Sequence, residues 1–162
     1  MAWWWLALAV ASAEPSILDR YSSPAPLPTE EDPFVWQVSP LTVAAGSMAN
    51  VTLRLVVPPG DTVYRDQIDV VGHADAGLVV GAADLPPGRF HADPANGSDG
   101  RELYDMDVVV LVPVTVPRAT AAGLVPLTLD LRHQGCRPGL CFPPHEEHMQ
   151  LWVHVTAPAN PR

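Results

Sequence analysis

The chain carries nineteen prolines among its 162 residues, and they are spread along its whole length. Proline inside an α-helix removes a backbone hydrogen bond and collides with the preceding turn, so this distribution leaves little room for helices. Several segments instead alternate apolar and polar residues with the period of a β-strand, and these are residues 51–57, 127–132 and 149–155. A valine-rich run covers 106–116, and Pro113 within it predicts an edge strand or a bulge. The sequence therefore predicts an all-β sandwich of about seven to nine strands.

The first 33 residues differ in composition from the rest of the chain. Residues 1–13 are a short apolar run ending in Ala-Ser-Ala, which is the small-residue pattern of a signal peptidase site. A membrane span takes about 20 apolar residues, so we expect a cleaved signal peptide, no stable membrane insertion afterwards, and a periplasmic or secreted location. Residues 14–33 are rich in proline and polar side chains and predict a flexible leader. A single domain at 34–157 and a short tail at 158–162 complete the predicted organisation.

The charge of the chain excludes one large class of ligands. The formal net charge is −9, and its basic residues are arginines scattered along the sequence. Binding to a phosphate backbone needs clustered positive charge, so nucleic acid is not a predicted partner. The chain also lacks G-x-S-x-G, H-E-x-x-H and glycine-rich phosphate-binding motifs, so neither hydrolase nor nucleotide chemistry is predicted.

Two cysteines, Cys136 and Cys141, flank a proline and a glycine. Pro138 presets the φ angle of the second position of a turn, and Gly139 takes the positive φ of the third, so the sequence predicts a tight reversal. The cysteines are then expected to face each other across an antiparallel pair, close enough to form a disulfide. Because proline is incompatible with the turn types that match strand twist, some strain is also expected.

A disulfide across so short a loop contributes little to the stability of the fold. In the chain-entropy model, closing a loop of about six residues stabilises by about 2 kcal/mol, against about 4.7 kcal/mol for a loop of about 100 residues. Strained or exposed disulfides are also the ones that exchange readily. Both points favour a redox-active pair, while a structural disulfide and metal ligation stay open on spacing alone.

The cysteine segment QGCRPGLCFPP at 134–144 is accompanied by two further motifs. These are PGDTVYRDQI at 59–68 and LPPG at 85–88. In order and spacing, the three segments resemble the QGC…GxCYPP, PGxxxYRDxI and LPxG segments of the amino-terminal periplasmic domain of the DsbD family of disulfide reductases. The resemblance covers roughly residues 34–155.

The resemblance implies an immunoglobulin-like sandwich whose cysteine pair relays reducing equivalents as a thiol-disulfide oxidoreductase, with no cofactor. By position, Cys141 would form the mixed disulfide with a partner, Cys136 would resolve it, and Tyr64 would belong to the site wall. The implied partners are thioredoxin-like periplasmic proteins and a membrane thiol reductase. No membrane module or thioredoxin-like domain follows Arg162 in this sequence, so the reductase is expected to be a separate protein.

Two basic side chains close to the pair in sequence are candidates for tuning it. A positive charge favours a thiolate, and on this ground Arg137 and His133 are expected to promote exchange. The chain has four residues between its cysteines where the family has five, so the ring is one residue tighter.

The segment 91–97 departs from the family at the loop that covers the cysteines. That loop carries an acidic pair followed by aromatic residues in the family, whereas this chain offers Asp93 for an acidic position and no aromatic cap. Phe90 and Phe142 are the candidate substitutes. Without a cap, the pair is expected to be open to small thiols.

Two alternative functions are also considered. One is a non-catalytic, secreted β-sandwich that binds a protein partner and in which the disulfide is structural. The other is a metal site in the arrangement C-x4-C-x3-H-x2-H, formed by Cys136, Cys141, His145 and His148, with Met149 as an added thioether. This spacing is not that of a standard zinc finger, and an oxidising compartment favours a disulfide, so we predict no bound metal, with His145 and His148 as solvated loop and strand-start residues.

Overall fold

The computed structural model of the chain describes residues 31–92 and 100–158, and all of these except Glu31 belong to a compact unit, Asp32–Arg162. The predicted signal peptide, nearly all of the leader, Asp93 and most of the tail lie outside the described residues. The described part consists of short and long β-strands with one 3-10 helix, Arg65–Gln67. No helix in these two ranges is long and apolar enough to cross a membrane.

The described residues form thirteen strands in three sheets. The strands are β1 Val35–Val38, β2 Leu41–Ala44, β3 Met48–Val56, β4 Thr62–Tyr64, β5 Asp69–Ala74, β6 Val79–Val80, β7 Arg89–His91, β8 Arg101–Tyr104, β9 Val108–Thr115, β10 Gly123–His133, β11 Gly135–Arg137, β12 Leu140–Cys141 and β13 His145–Thr156. Their orders are β1-β3-β9-β6, β2-β13-β10-β5 and β12-β11-β4-β8-β7. Neighbours pair antiparallel except β2 and β13, which run parallel.

The core lies between the apolar faces of the first two sheets. Alternate residues of β3, β9, β10 and β13 point into it, so the predicted strand periodicity and the all-β class are confirmed. The fully buried apolar members are Val51, Leu53, Leu55, Val108, Val110, Val112, Val114, Leu127, Leu129, Leu131, Val153 and Val155. Burying each such side chain contributes about 1.5 to 3 kcal/mol to the stability of the fold, which makes this core the main source of folding free energy.

Pro113 lies in β9, which is not at the edge of its sheet because it pairs with both β3 and β6. The neighbouring strand is interrupted at this point. β6 ends at Val80, Gly81 donates its backbone N–H to the Pro113 carbonyl, and regular bonding resumes only between Asp84 and Leu111. Of the predicted edge strand or bulge, the edge strand is therefore wrong, and the missing proline N–H is tolerated because no regular strand faces Pro113 on the side of β6.

The cysteine segment forms a hairpin, β11–β12, within the third sheet. In chain order this hairpin lies between β10 and β13 of the sandwich. Its backbone instead pairs with β4, with Gly135 opposite Val63 and Cys136 opposite Thr62. We call the five-stranded sheet that carries it the side sheet. The expected seven to nine strands fall short of the observed number because most strands of the side sheet are too short to show an alternating pattern.

Candidate functional site

The two cysteines face each other across the hairpin, as predicted. Cys136 and Cys141 are directly opposed in the register, their Cα atoms lie 4.0 Å apart, and their sulfurs are bonded. Gly139 has a φ of 83°, the positive value that the third position of this turn requires. Cys141 is exposed and Cys136 is half-buried, so a molecule from solvent meets Cys141 first.

One face of the side sheet forms an open groove beside the disulfide. The groove has a volume of about 390 Å³. Its lining includes both cysteines and Tyr64, which lies two residues from Thr62 on the same face of β4. The Arg101 guanidinium lies 4.1 Å from the centre of the Tyr64 ring. One of its nitrogens donates to both carboxylate oxygens of Asp66, at 2.5 and 2.7 Å. The wall at Tyr64 is thus a fixed surface made of an aromatic ring with a cation on it.

The opposite face of the hairpin packs onto the sandwich. Phe142 is 2% exposed, and its backbone N–H donates to the Gly135 carbonyl at 2.9 Å. The Arg137 guanidinium lies 4.8 Å from the Phe142 ring centre and 3.6 Å from the Asp61 carboxylate. Asp61 was not predicted as part of the site, because an aspartate after a proline and a glycine resembles an exposed turn residue.

His133 is fully buried, which overturns its expected role as a positive charge beside the pair. The Trp36 indole N–H donates to Nδ1 of His133 at 3.1 Å, and Nε2 lies 3.0 Å from an Asp32 carboxylate oxygen. Because Nδ1 accepts this hydrogen bond, the ring carries its hydrogen on Nε2 and is neutral. Burial lowers the pKa of His133, against the opposing effect of Asp32.

The buried histidine gives the domain a pH-dependent stability. Because the folded-state pKa of His133 lies below its unfolded value of about 6.5, the unfolded chain takes up the proton first and stability rises with pH. We expect the free energy of unfolding to fall as pH drops below about 6.5 and to go on falling until the pH reaches the folded-state pKa. Urea unfolding between pH 7.5 and 5 measures this loss. His133→Gln should flatten the slope, and the exposed-site control His154→Gln should keep it; an unchanged slope in His133→Gln contradicts the assignment.

Neither candidate aromatic residue covers the cysteines. Phe142 lies in the core beneath the hairpin rather than over the sulfurs. Phe90 is 64% exposed, but it pairs with Glu102, whereas Tyr64 pairs with the adjacent Leu103. Because neighbouring residues of a strand point to opposite faces, Phe90 lies on the face of the side sheet away from the groove.

The metal-binding alternative does not fit the arrangement of its donors. Cys136 and Cys141 are bonded to each other, and His148 Nδ1 lies 2.6 Å from Asp130. Within 31–92 and 100–158, no three histidine, cysteine, aspartate or glutamate side chains are arranged to hold a metal ion. Both side chains are exposed as predicted, but His145, which was expected in a loop, begins β13, and His148, which was expected at the strand start, lies inside that strand.

An all-β sandwich with a directly opposed cysteine pair on a side sheet has the architecture of an immunoglobulin-like domain. Residues 26–152 match the family model described as "Thiol:disulfide interchange protein DsbD, N-terminal". The chain belongs to this family, as the cysteine motif indicated.

Individual relatives agree with this assignment. The chain is 32% identical over 103 residues to the thiol:disulfide interchange protein DsbD of Tatumella citrea, a match that covers 63% of this chain and 16% of that protein. The reduced DsbD N-terminal domain of Neisseria meningitidis has a TM-score of 0.52 at 24% identity, covering 75% of this chain and 86% of the other. The same domain in a complex with the PilB N-terminal domain also gives 0.52, at 23% identity, covering 79% and 88%. The solved structures thus share the fold of this chain.

Proposed function

We propose that this domain passes reducing equivalents through Cys136 and Cys141 to partner thiol proteins in the periplasm. The observation that carries the proposal is the exposed Cys141, bonded to a half-buried Cys136 at the edge of an open groove. Exchange requires a sulfur that a partner can reach and a second sulfur close enough to complete the reaction. A six-residue hairpin outside the sandwich core supplies both.

The reaction runs in two displacements. In the reduced domain, the Cys141 thiolate attacks one sulfur of a partner disulfide, a mixed disulfide forms, and the second partner sulfur leaves as a thiolate that takes up a proton. The Cys136 thiol then loses its proton and attacks the Cys141 sulfur, which releases the first partner sulfur as a thiolate that takes up a proton in turn. The partner gains two electrons and two protons, and the domain ends as the disulfide. A membrane thiol reductase is the proposed source of electrons for the next cycle.

The proposed partners are thioredoxin-like periplasmic proteins. A solved complex of the DsbD N-terminal and PilB N-terminal domains from Neisseria meningitidis supports a protein partner for this fold. The predicted signal peptide at 1–13 supports the periplasmic location. We propose that the leader at 14–33 follows it, and that the exchange domain covers 34–157.

The reduction potential tests the proposed function directly. Residues 14–162 are equilibrated in glutathione buffers, the free thiols are alkylated, and the two forms are separated by intact mass. We expect a value of about −200 to −270 mV, which is the range of known exchange catalysts. A value below about −300 mV marks a disulfide that glutathione cannot reduce, and it would favour the binding module with a structural disulfide.

Tyr64 is expected to contact the partner protein rather than the reacting sulfurs. Losing one aromatic contact in an interface costs about 1 to 2 kcal/mol, so Tyr64→Ala should slow exchange with purified thioredoxin about 5- to 30-fold. The rate of exchange with glutathione should stay within about twofold of the rate in the unmodified domain, because a small thiol can reach the sulfurs without contacting Tyr64. Stopped-flow tryptophan fluorescence follows both reactions.

Phe90→Ala is the matched control for Tyr64. Phe90 is an aromatic residue of the side sheet like the half-buried Tyr64, but it is exposed and lies on the other face. It should leave both rates unchanged. Equal slowing of glutathione and thioredoxin in Tyr64→Ala would show that Tyr64 acts on the cysteines themselves, contrary to the expected contact.

A further inference from the structure

The residues that follow the two cysteines touch each other on the underside of the hairpin. Arg137 follows Cys136, Phe142 follows Cys141, and the Arg137 guanidinium lies 4.8 Å from the Phe142 ring centre. Side chains of adjacent strand residues point to opposite faces, so the contact with the ring lies on the face away from the sulfurs, while Arg137 also forms part of the groove lining. The two sides of the hairpin are therefore joined twice, by the disulfide above and by a cation–π contact below.

Asp61 holds the arginine in this position. Its side chain is buried, with the residue 7% exposed, and its carboxylate lies 3.6 Å from the Arg137 guanidinium. A buried carboxylate is costly unless a cation or hydrogen bonds compensate it, so the pairing restrains both side chains. Asp61 also directly precedes Thr62, the residue of β4 opposite Cys136. The arginine is thus paired with a residue outside the hairpin, directly before β4.

The ring that the arginine covers is also fixed. The Gln134 side-chain amide donates to the Phe142 carbonyl at 2.9 Å, and the Phe34 ring meets the Phe142 ring edge-on at 5.9 Å. These contacts involve neither sulfur. They do not depend on the sulfur–sulfur bond, so we expect the contacts under Arg137 to be kept when the disulfide is opened.

We infer that Arg137, held by Asp61 against Phe142, is a positioning residue that keeps Cys136 and Cys141 within reach of each other once the disulfide is reduced. This inference rests on the proposed exchange function. The equilibrium constant for closing a dithiol depends on how often the two thiols meet, which is their effective concentration. A contact that holds the two sides of the hairpin together raises that concentration and favours the disulfide.

A direct effect of the Arg137 charge would have the opposite sign. A positive charge near a thiolate stabilises the reduced form, so removing it would favour the disulfide. Removing a positioning contact disfavours the disulfide. The sign of the change in the glutathione equilibrium therefore separates the two roles.

The experiment compares Arg137→Gln, Arg137→Lys and the unmodified chain in glutathione buffers at pH 7. We expect Arg137→Gln to lower the equilibrium constant for disulfide formation about 3- to 10-fold, which is a potential about 14 to 30 mV less negative. Arg137→Lys keeps the charge but loses the planar group that stacks on Phe142, so it should also lower the constant. Circular dichroism of the oxidised variants verifies that each one folds.

Arg89→Gln is the matched control. Arg89 is an arginine of the side sheet that pairs with Asp105 at 2.5 Å and does not line the groove. It should leave the constant unchanged. The positioning role is overturned if Arg137→Gln leaves the equilibrium constant for disulfide formation unchanged or raises it. It is also overturned if Arg137→Lys has the same constant as the unmodified chain.

Failure of the proposed function is read separately, from the unmodified chain. A potential below about −300 mV in that chain contradicts the exchange function. The equilibrium constants for disulfide formation in Arg137→Gln and in the unmodified chain are then measured in dithiothreitol buffers, and their ratio is taken. That ratio still decides whether Arg137 positions the cysteines.

Discussion

Cys141→Ala is expected to abolish exchange with a protein disulfide, whereas Cys136→Ala is expected to trap a mixed disulfide on Cys141. The physical reason is the unequal access of the two sulfurs. Cys141 is exposed and lies in β12, the edge strand of the side sheet, while Cys136 is half-buried in β11, between β12 and β4. A partner sulfur therefore reaches Cys141, and without Cys136 nothing in the domain completes the second displacement.

Non-reducing electrophoresis and intact mass measure this outcome. Each reduced single-cysteine variant is mixed with oxidised thioredoxin, and the adduct is quantified over time. Reduction of the partner should be lost in both variants, and a stable adduct should form only in Cys136→Ala. An adduct that forms mainly in Cys141→Ala would reverse the proposed roles of the two cysteines.

Gly135→Ala is expected to destabilise the domain by about 1 to 3 kcal/mol, the usual cost of overpacking a well-packed core. A Cβ at Gly135 would lie 2.1 Å from two ring atoms of Phe34, far inside van der Waals contact. Phe34 cannot move aside easily, because it is buried and meets both His133 and Phe142 edge-on. The residue next to Cys136 must therefore be glycine for the hairpin to lie against the sandwich.

Urea unfolding of the oxidised protein measures how far Gly135→Ala lowers the free energy of unfolding. Phe34→Leu should recover part of it in the Gly135→Ala background, since a smaller side chain makes room for the added carbon. Gly139→Ala is the comparison within the hairpin. It places a Cβ in open space but at a positive φ of 83°, so its effect comes from the turn alone. If Phe34→Leu and Gly135→Ala destabilise additively, the steric explanation is wrong.

The parts of the fold that the sequence predicts are those with a repeating local signal. The alternating leucines and valines of β3, β10 and β13 indicated the sandwich, and the turn at Pro138 and Gly139 indicated the facing cysteines. The side sheet gave no such signal. Strands of two to four residues are too short for a period-2 pattern, and their pairing depends on segments far apart in the chain.

The environments of single polar residues were harder to predict. His133 continues the inward row of Leu127, Leu129 and Leu131, so this alternation contains a signal for its burial that its proximity to the cysteines obscured. Asp61 carries no comparable signal, because its burial depends on Arg137, which is distant in sequence. Local patterns thus located the reactive pair, whereas its supporting contacts required the tertiary structure.

A protein that carries electrons must stay folded in both of its oxidation states. The disulfide joins residues only five positions apart, so it restricts the unfolded chain little. Reducing it lowers the free energy of unfolding by about 2 kcal/mol. The long β10–β13 pairing and the core row beneath it contain neither cysteine. We therefore expect the sandwich to stay intact through cycles of oxidation and reduction, so that a domain with the proposed exchange function needs no refolding between partners.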